Sequence, residues 1–447
     1  MPTTTDSIPK NSPHVLILGG GFAGLKAARA LAKSQARITL VDRRNHHVFQ
    51  PLLYQVATAA LSPADIAAPI RQVLRSQKNC NVILAEATGV DLKKKIVHFE
   101  RGELEYDYLV IATGVTHSYF GNDAWSELAP GLKTLEEATE IRRRILLAFE
   151  TAEYEGEEEN RRAELTFAIV GGGPTGVELA GAIKEIAAKT IPKDFRNIDT
   201  RTTRVILLEG GDRVLAAFDE KLSARAKKDL EDLGVEVRLN SFVTDVTESG
   251  LQVGEDFIPA NNVFWAAGVE AGSLARNMEA PLDRSGRVLV EKDLSVPGHP
   301  EVFVVGDMAA LKDSRTKDWV PGVAQAAMQG GHHAGKIIAA ELKGKKEERP
   351  PFQYKDKGSM ATIGKARAVA QIGKHRLTGF VAWVLWSLIH VAFLIEFRNR
   401  AAVMLNWVWG WLVSRKSARL IMGDAALDLE EPRAIERKPA KEVAPIK

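Results

Sequence analysis

Gly19-Gly20-Gly21-Phe22-Ala23-Gly24 and Gly171-Gly172-Gly173-Pro174-Thr175-Gly176 carry the same spacing, G-x-G-x-x-G, at two places in one chain. Each follows a short apolar run, Val15-Leu16-Ile17-Leu18 or Phe167-Ala168-Ile169-Val170, and precedes a stretch with helical periodicity. Glycines so placed allow a tight turn and let the backbone approach a pyrophosphate held at a helix N-terminus. Asp42, closing the run Arg37-Ile38-Thr39-Leu40-Val41, lies where such a unit offers a carboxylate to an adenosine ribose. Glu209, closing Val205-Ile206-Leu207-Leu208, is its counterpart, at a longer spacing from its finger than the usual ~20 residues. A carboxylate there bonds a ribose 2′-hydroxyl and repels a 2′-phosphate, which favours NADH over NADPH. Two cradles mean two dinucleotides, and the natural pair is a flavin and a nicotinamide.

Cys80 is the only cysteine among 447 residues. That excludes a redox dithiol, a disulfide within the chain and any multi-cysteine metal or iron–sulfur site. Flavoenzymes that work through paired cysteines are set aside for the same reason. The adjacent pairs His46-His47 and His332-His333 cannot both point at one ion, and no other metal-ligand spacing occurs. A net charge of +3, without basic blocks interleaved with aromatics, gives no nucleic-acid partner.

The elements that must position these residues follow an alternating strand and helix pattern, and the length predicts two or three domains. Tyr108 to Ile111 reads as a buried strand running into the small residues Ala112-Thr113-Gly114, and Asn262 to Trp265 ends likewise in Ala266-Ala267-Gly268. Val302 to Val305 leads into Gly306-Asp307, either a turn that accepts hydroxyl hydrogen bonds or an ordinary one. Leu135 to Glu153 reads as a charged helix and Glu155 to Arg162 as a solvated linker. Residues 1–13 read as a disordered lead without signal architecture, and 426–447 as a disordered tail.

Phe380 to Ile395 and Ala401 to Val413 are apolar, split by Glu396-Phe397-Arg398-Asn399-Arg400. Trp383, Trp386, His390, Phe393 and Phe397 fall along one helical stripe. Each run is at or below the ~17–25 residues of a spanning helix. A short spanning helix, a buried pair and an amphipathic pair lying in the membrane interface are the three readings. The third is favoured, with tryptophans at headgroup depth, because buried helices seldom carry so many indole N–H groups wanting partners. On that reading a cut near Arg376 leaves a protein that keeps its flavin but loses membrane association.

Longer segments carry a resemblance. Asn45-His46-His47-Val48-Phe49-Gln50-Pro51-Leu52-Leu53-Tyr54-Gln55-Val56-Ala57, the finger Gly173 to Gly181, Val323-Ala324-Gln325-Ala326-Ala327-Met328-Gln329-Gly330 and Gly358-Ser359-Met360-Ala361-Thr362-Ile363-Gly364 make the chain resemble the type II NADH dehydrogenases, from His14 to about Gly423. These are single-subunit NADH:quinone oxidoreductases of respiratory membranes that pump no protons. The resemblance implies an α/β chain with two Rossmann-type domains of the FAD/NAD(P)-linked reductase architecture. Residues 14–125 and 285–365 would form a discontinuous FAD domain and 126–284 the NADH domain. Residues 366–425 would be an amphipathic, membrane-binding and dimer-forming segment.

Noncovalent FAD is then expected on Gly19, Gly21, Phe22, Ala23, Gly24, Asp42, Arg43, Gln50, Thr113, Gly114, Gly306, Asp307, Ala324 and Gln325. NADH is expected on Gly171, Gly173, Pro174, Thr175, Gly176, Glu178, Glu209, Ala267 and Gly268. Glu178 would position NADH beside the flavin and take a part in protonation; its plainer reading is a helix-surface carboxylate without function. Gln325 and Gln329, at i and i+4, would hydrogen-bond a quinone carbonyl. The plainer reading of these two is that they cap or space the helix against the flavin. The implied partners are a membrane lipid surface, its quinone and a second copy of the chain, on the cytoplasmic face of a bacterial inner membrane. A soluble FAD-dependent NAD(P)H reductase of a protein acceptor, of the ferredoxin- or rubredoxin-reductase type, shares both fingers but has no need of Phe380 to Val413. A nucleotide-sensing protein that turns over poorly is the reading from another class.

Overall fold

The computed structural model describes residues 9, 11–345, 348–413 and 418–422, so the expected tail and most of the expected lead lie outside the described residues. The elements that build or position the site are, in chain order, β1 (His14–Leu18), α1 (Phe22–Ala30), β2 (Arg37–Asp42), α2 (Leu53–Ala57), β3 (Cys80–Leu84), β4 (Tyr108–Ile111) and α3 (Leu135–Tyr154). Then come β5 (Thr166–Val170), α4 (Pro174–Glu185), β6 (Arg204–Leu208), α5 (Glu220–Leu233), β7 (Val235–Arg238) and β8 (Asn262–Trp265). The last part holds β9 (Ser295–Val296), β10 (His299–Val304), α6 (Ala324–Glu341), β11 (Ser359–Gly364), β12 (Arg367–Ile372), β13 (His375–Thr378), α7 (Gly379–Phe393) and α8 (Phe397–Val413).

Every residue of β1 and of β5 is buried, as the apolar runs require of a strand covered on both faces. Each is the inner strand of a parallel sheet. The first sheet has the order β9-β10-β4-β1-β2-β3, with only β9 antiparallel to its neighbour, so residues near 300 return to pair with β4. The second has the order β7-β6-β5-β8, all parallel. Across the first sheet α1 packs on α6 at very short range. A Cβ on Gly331 would collide with the Ala23 carbonyl, and one on Gly335 would lie 2.8 Å from that of Ala27. Helix α6 therefore holds its N-terminus against the first finger.

β11, β12 and β13 form a third, antiparallel sheet. The boundary expected between 365 and 366 falls inside it, in the turn of the β11–β12 hairpin. Helix α7 lies over this sheet with Ala382 and Trp386 buried. A cut near Arg376 would sever β13, lose the Arg376–Asp219 ion pair of 2.7 Å and strip the cover from the sheet.

The aromatic stripe is corrected. Glu396, at φ +72°, breaks the chain between α7 and α8, and Phe397 begins the second helix. Trp386, 2 % exposed, stacks on His390 at 4.2 Å between ring centroids and packs on Trp407 at 5.5 Å. These aromatics face inward because Tyr54 on α2 offers a third ring to cover. The outward surface carries Val381 and Leu388 on α7 and Leu405, Val408 and Trp409 on α8. Among the described residues no helix is long and apolar enough to cross a membrane.

Candidate active site

The two fingers have the same internal geometry. Gly19 and Gly171 take φ of +101° and +108°, and each N–H donates to the strand beside it, to Val41 O and to Leu208 O at 2.7 Å. Side chains at Gly24 or Gly176 would strike the carbonyl of the finger's own first glycine. The middle glycines differ. Gly21 and Gly173 have ordinary φ of −75° and −71°, each caps the helix that follows, and a Cβ on either would meet nothing within 4 Å. No protein neighbour and no backbone strain calls for glycine there. Open space against helix N–H groups fits a bound pyrophosphate, so both fingers pass the test as dinucleotide cradles.

The acids close each cradle. Asp42 Oδ2 accepts the Gly20 N–H at 2.5 Å and Oδ1 accepts that of Arg44 at 2.7 Å. Glu209 Oε2 accepts the Gly172 N–H at 2.6 Å and Oε1 accepts that of Gly211 at 2.7 Å. The longer spacing to Glu209 is taken up by a π-helical turn over Ile186–Thr190 and the segment up to Thr202, after which β6 pairs in register with β5. Ala267 and Gly268 follow β8 beside the second finger, where Ala266 abuts Gly171. Pro174 and Thr175 open α4 as its first turn.

Around the first finger, the Thr113 hydroxyl donates to Met308 Sδ at 3.1 Å and ties the end of β4 to the Gly306–Met308 turn. Gly114 follows with φ +73°. Burial raises the Asp307 carboxyl above its ordinary range, opposed by Lys133 and Arg287. Burial likewise lowers the Lys133 ammonium, opposed by Asp307 and Glu137. Gln50 Nε2 donates to Lys133 O at 3.2 Å and joins this group. Arg43 instead turns away to an exposed ion pair with Glu86 at 3.3 Å. Phe22 is edge-on to His47 at 4.9 Å, and burial holds that imidazole down to about 4, neutral, with its Nδ1–H donated to Gly20 O. Ala23 and Gly24 pack under α6 and the finger.

Glu178 lies in the first turns of α4, facing the C-terminal sheet. Its Oε1 accepts the Thr362 N–H at 3.3 Å, and burial, outweighing that bond, pushes the carboxyl up to about 8. Gly181 makes the approach possible, because a Cβ there would run into the Ile363 carbonyl. Tyr54, Gln55 and Thr362 complete this region. All three lie inside the segments that carried the resemblance, yet a phenol, an amide and a hydroxyl had no spacing that assigned them a task.

Gln325 and Gln329 do share one face of α6, but their amides are engaged elsewhere. Gln325 donates to Gly358 O at 2.9 Å and accepts from Lys357 N at 3.0 Å; Gln329 donates to Lys355 O at 3.0 Å and accepts from Lys355 N at 2.9 Å. The expected pair of quinone donors thus clamps residues 355–358 with the carbonyl and one N–H of each amide. Ala324 opens α6, whose first-turn N–H groups lack intrahelical acceptors. Among the described residues no three His, Cys, Asp or Glu side chains gather as a metal site, and burial pushes the Cys80 thiol up to about 12.

Residues 13–331 match the pyridine nucleotide-disulphide oxidoreductase family, and residues 357–416 match the NDH2 C-terminal domain. The type II NADH:quinone oxidoreductase Ndh of Mycobacterium tuberculosis is 45% identical over 432 residues, covering 94% of this chain and 92% of that protein. NdhA of the same organism is 44% identical, covering 88% and 86%. The structure of NDH2 from Plasmodium falciparum in complex with NADH superposes with a TM-score of 0.83 at 20% identity, covering 92% of this chain and 100% of that one, a likeness of fold. With both cradles, the C-terminal sheet and the extent of these matches, the chain belongs to the type II NADH:quinone oxidoreductases.

Proposed function

We infer that this protein oxidises NADH and reduces a membrane quinone, NADH + H⁺ + quinone giving NAD⁺ + quinol, with FAD on the first finger and NADH on the second. The observation that carries the reading is the pair of middle glycines, Gly21 and Gly173, each facing open space at the N-terminus of the helix it caps. Bound FAD would supply the two-electron relay between the hydride donor and the quinone. The chain's own task is to bind and orient. Gly19 to Gly24 and Asp42 would hold FAD, with Thr113, Gln50, Asp307 and Lys133 at the far side of the same cradle. Gly171 to Gly176 would hold the NADH pyrophosphate and Glu209 the ribose diol. Contact geometry rather than an acid or base brings the nicotinamide to the flavin.

Glu178, raised to about 8, keeps a proton at neutral pH beside the point where the second finger meets β11. It is the group here best able to release one toward quinone oxygen and regain it from water. The outward apolar surface of α7 and α8, flanked by Arg398 and Arg400, supports docking on an anionic lipid surface, from which a quinone reaches this point. An anaerobic titration followed by flavin absorbance tests the reading. Bleaching by NADH and recovery on adding a short-chain quinone are expected; bleaching without recovery would transfer the assignment to a protein acceptor.

A further inference from the structure

Four side chains connect α8 to the second finger through hydrogen bonds, and the direction of the first two can be derived. The Trp407 indole N–H donates to Gln55 Oε1 at 2.7 Å. An indole can only donate. The Gln55 amide therefore turns its carbonyl to α8 and its NH₂ to Tyr54, where Nε2 donates to the hydroxyl oxygen at 3.0 Å. The Tyr54 hydroxyl accepts on that side and lies 3.0 Å from Thr362 Oγ1, a contact in which either hydroxyl can give the hydrogen. Two hydroxyl hydrogens share this one contact, so one of them has no acceptor among the described residues, although Tyr54 is 8 % and Thr362 3 % exposed. A buried hydroxyl hydrogen left unmatched is costly and points to a group that completes the site.

Thr362 touches Glu178 through its backbone N–H, so its hydroxyl stands beside the proton-holding carboxyl. The two glutamines of α6 have their carbonyls and one N–H of each held by residues 355–358. We propose that Tyr54 gives its hydrogen to Thr362 and that the Thr362 hydroxyl, at the end of the chain of donors from Trp407, is the hydrogen-bond donor to a carbonyl oxygen of the quinone. The proposal rests on the reading that a quinone is reduced beside Glu178. Thr362 gives a hydrogen bond and keeps its proton; the protons of the quinol come through other groups. As electrons arrive, the quinone oxygen gains negative charge, and a donor already pointed at it binds that charge more strongly than the neutral carbonyl. Trp407, Gln55 and Tyr54 are positioning residues, acting through the bond that Gln55 gives the Tyr54 oxygen and the hydrogen that Tyr54 in turn gives Thr362.

Stopped-flow on the flavin-loaded full chain separates the two half-reactions. Thr362→Val keeps the shape and removes the donor, while Thr362→Ser keeps the donor. Bleaching by NADH should stay within about twofold of wild type in both, and reoxidation by a short-chain quinone should slow about 10- to 100-fold in Thr362→Val, the loss of one bond to a charged oxygen. Thr362→Ser should restore most of the rate. Trp407→Phe should slow reoxidation less, and combined with Thr362→Val should add little to it, because both act through one hydroxyl. Wild-type reoxidation in Thr362→Val, an equal loss in both half-reactions, or effects of Trp407→Phe and Thr362→Val that multiply would overturn the proposal. A wild-type flavin that NADH bleaches but quinone does not reoxidise would overturn the functional reading along with it.

Discussion

Replacing Gly173 by alanine should separate binding from folding, because two small stability terms oppose each other there while the ligand term does not cancel. Gly173 caps α4 with φ −71° and extended ψ, a conformation alanine adopts without strain, and the added methyl would touch no protein atom within 4 Å. Alanine restricts the unfolded chain, a gain of about 0.4–1 kcal/mol. As an N-cap it is poorer than glycine by about 0.5–1 kcal/mol. The net falls near zero, and the melting temperature should move by under about 2 °C. For NADH the same methyl stands where the pyrophosphate must approach the helix N–H groups. Losing one hydrogen bond to a charged phosphate costs about 1.5–3 kcal/mol, a weakening of roughly 10- to 150-fold. Gly176→Ala is the contrast, since its methyl strikes the Gly171 carbonyl and should cost about 1–3 kcal/mol of stability. Thermal melts with flavin content, alongside the NADH dependence of bleaching, read all three quantities. Wild-type NADH affinity in Gly173→Ala, or a melting temperature as low as that of Gly176→Ala, would refute the reasoning.

The remaining expectations concern charge and the C-terminal helices. The Glu178 carboxyl rises from an ordinary 4.5 to about 8 on folding, so the native state holds a proton that the unfolded chain releases. Stability should therefore fall as pH rises from about 4.5 and level off above about 8, and Glu178→Gln should lose that slope in thermal melts while reoxidation loses its titration near 8. Arg349 bonds Glu341 at 2.6 and 3.0 Å and Asp293 at 3.0 Å, and lies over the Phe303 ring. Arg349→Met should cost about 2–3 kcal/mol in denaturant melts, and Arg349→Lys should recover little because it lacks the planar fork. Leu388→Glu with Leu405→Glu should abolish co-sedimentation with anionic vesicles at unchanged melting temperature, since both side chains are exposed. Trp386→Ala, at the inward face, should instead cost about 3–5 kcal/mol in the same melts.

Much of this was legible because local physics leaves few options. Two buried strands each followed by G-x-G-x-x-G could hardly be anything but parallel-sheet units, and Asp42 and Glu209 stand at the strand ends where they were expected. Charge runs were less legible. Glu155 to Arg162, read as a linker, contributes to a helix over Glu158–Glu164, where Glu158 pairs with both Arg161 and Arg162. The aromatic stripe was read by its period, and a period gives a face without saying which way it turns. Gln325 and Gln329 illustrate the same limit, since their spacing put both on one side of a helix but could not supply the backbone of residues 355–358 that occupies them.

What the sequence by itself determined are the features set within a few residues of chain. The glycines at φ near +100°, the strands around them, the lack of a thiol pair and the split apolar tail all arise from side-chain sterics, composition and short-range periodicity. What only the tertiary structure decided are meetings between residues far apart in the chain. Residues 295–304 return to the first sheet, Thr362 reaches Glu178, and Trp407 sets the direction of a hydrogen-bond chain through Gln55 and Tyr54. Such meetings depend on how the helices pack over the three sheets, and the polarity of that chain as far as Tyr54 follows from one fact of geometry: among the described residues the Trp407 N–H finds one partner, the carbonyl of an amide on α2.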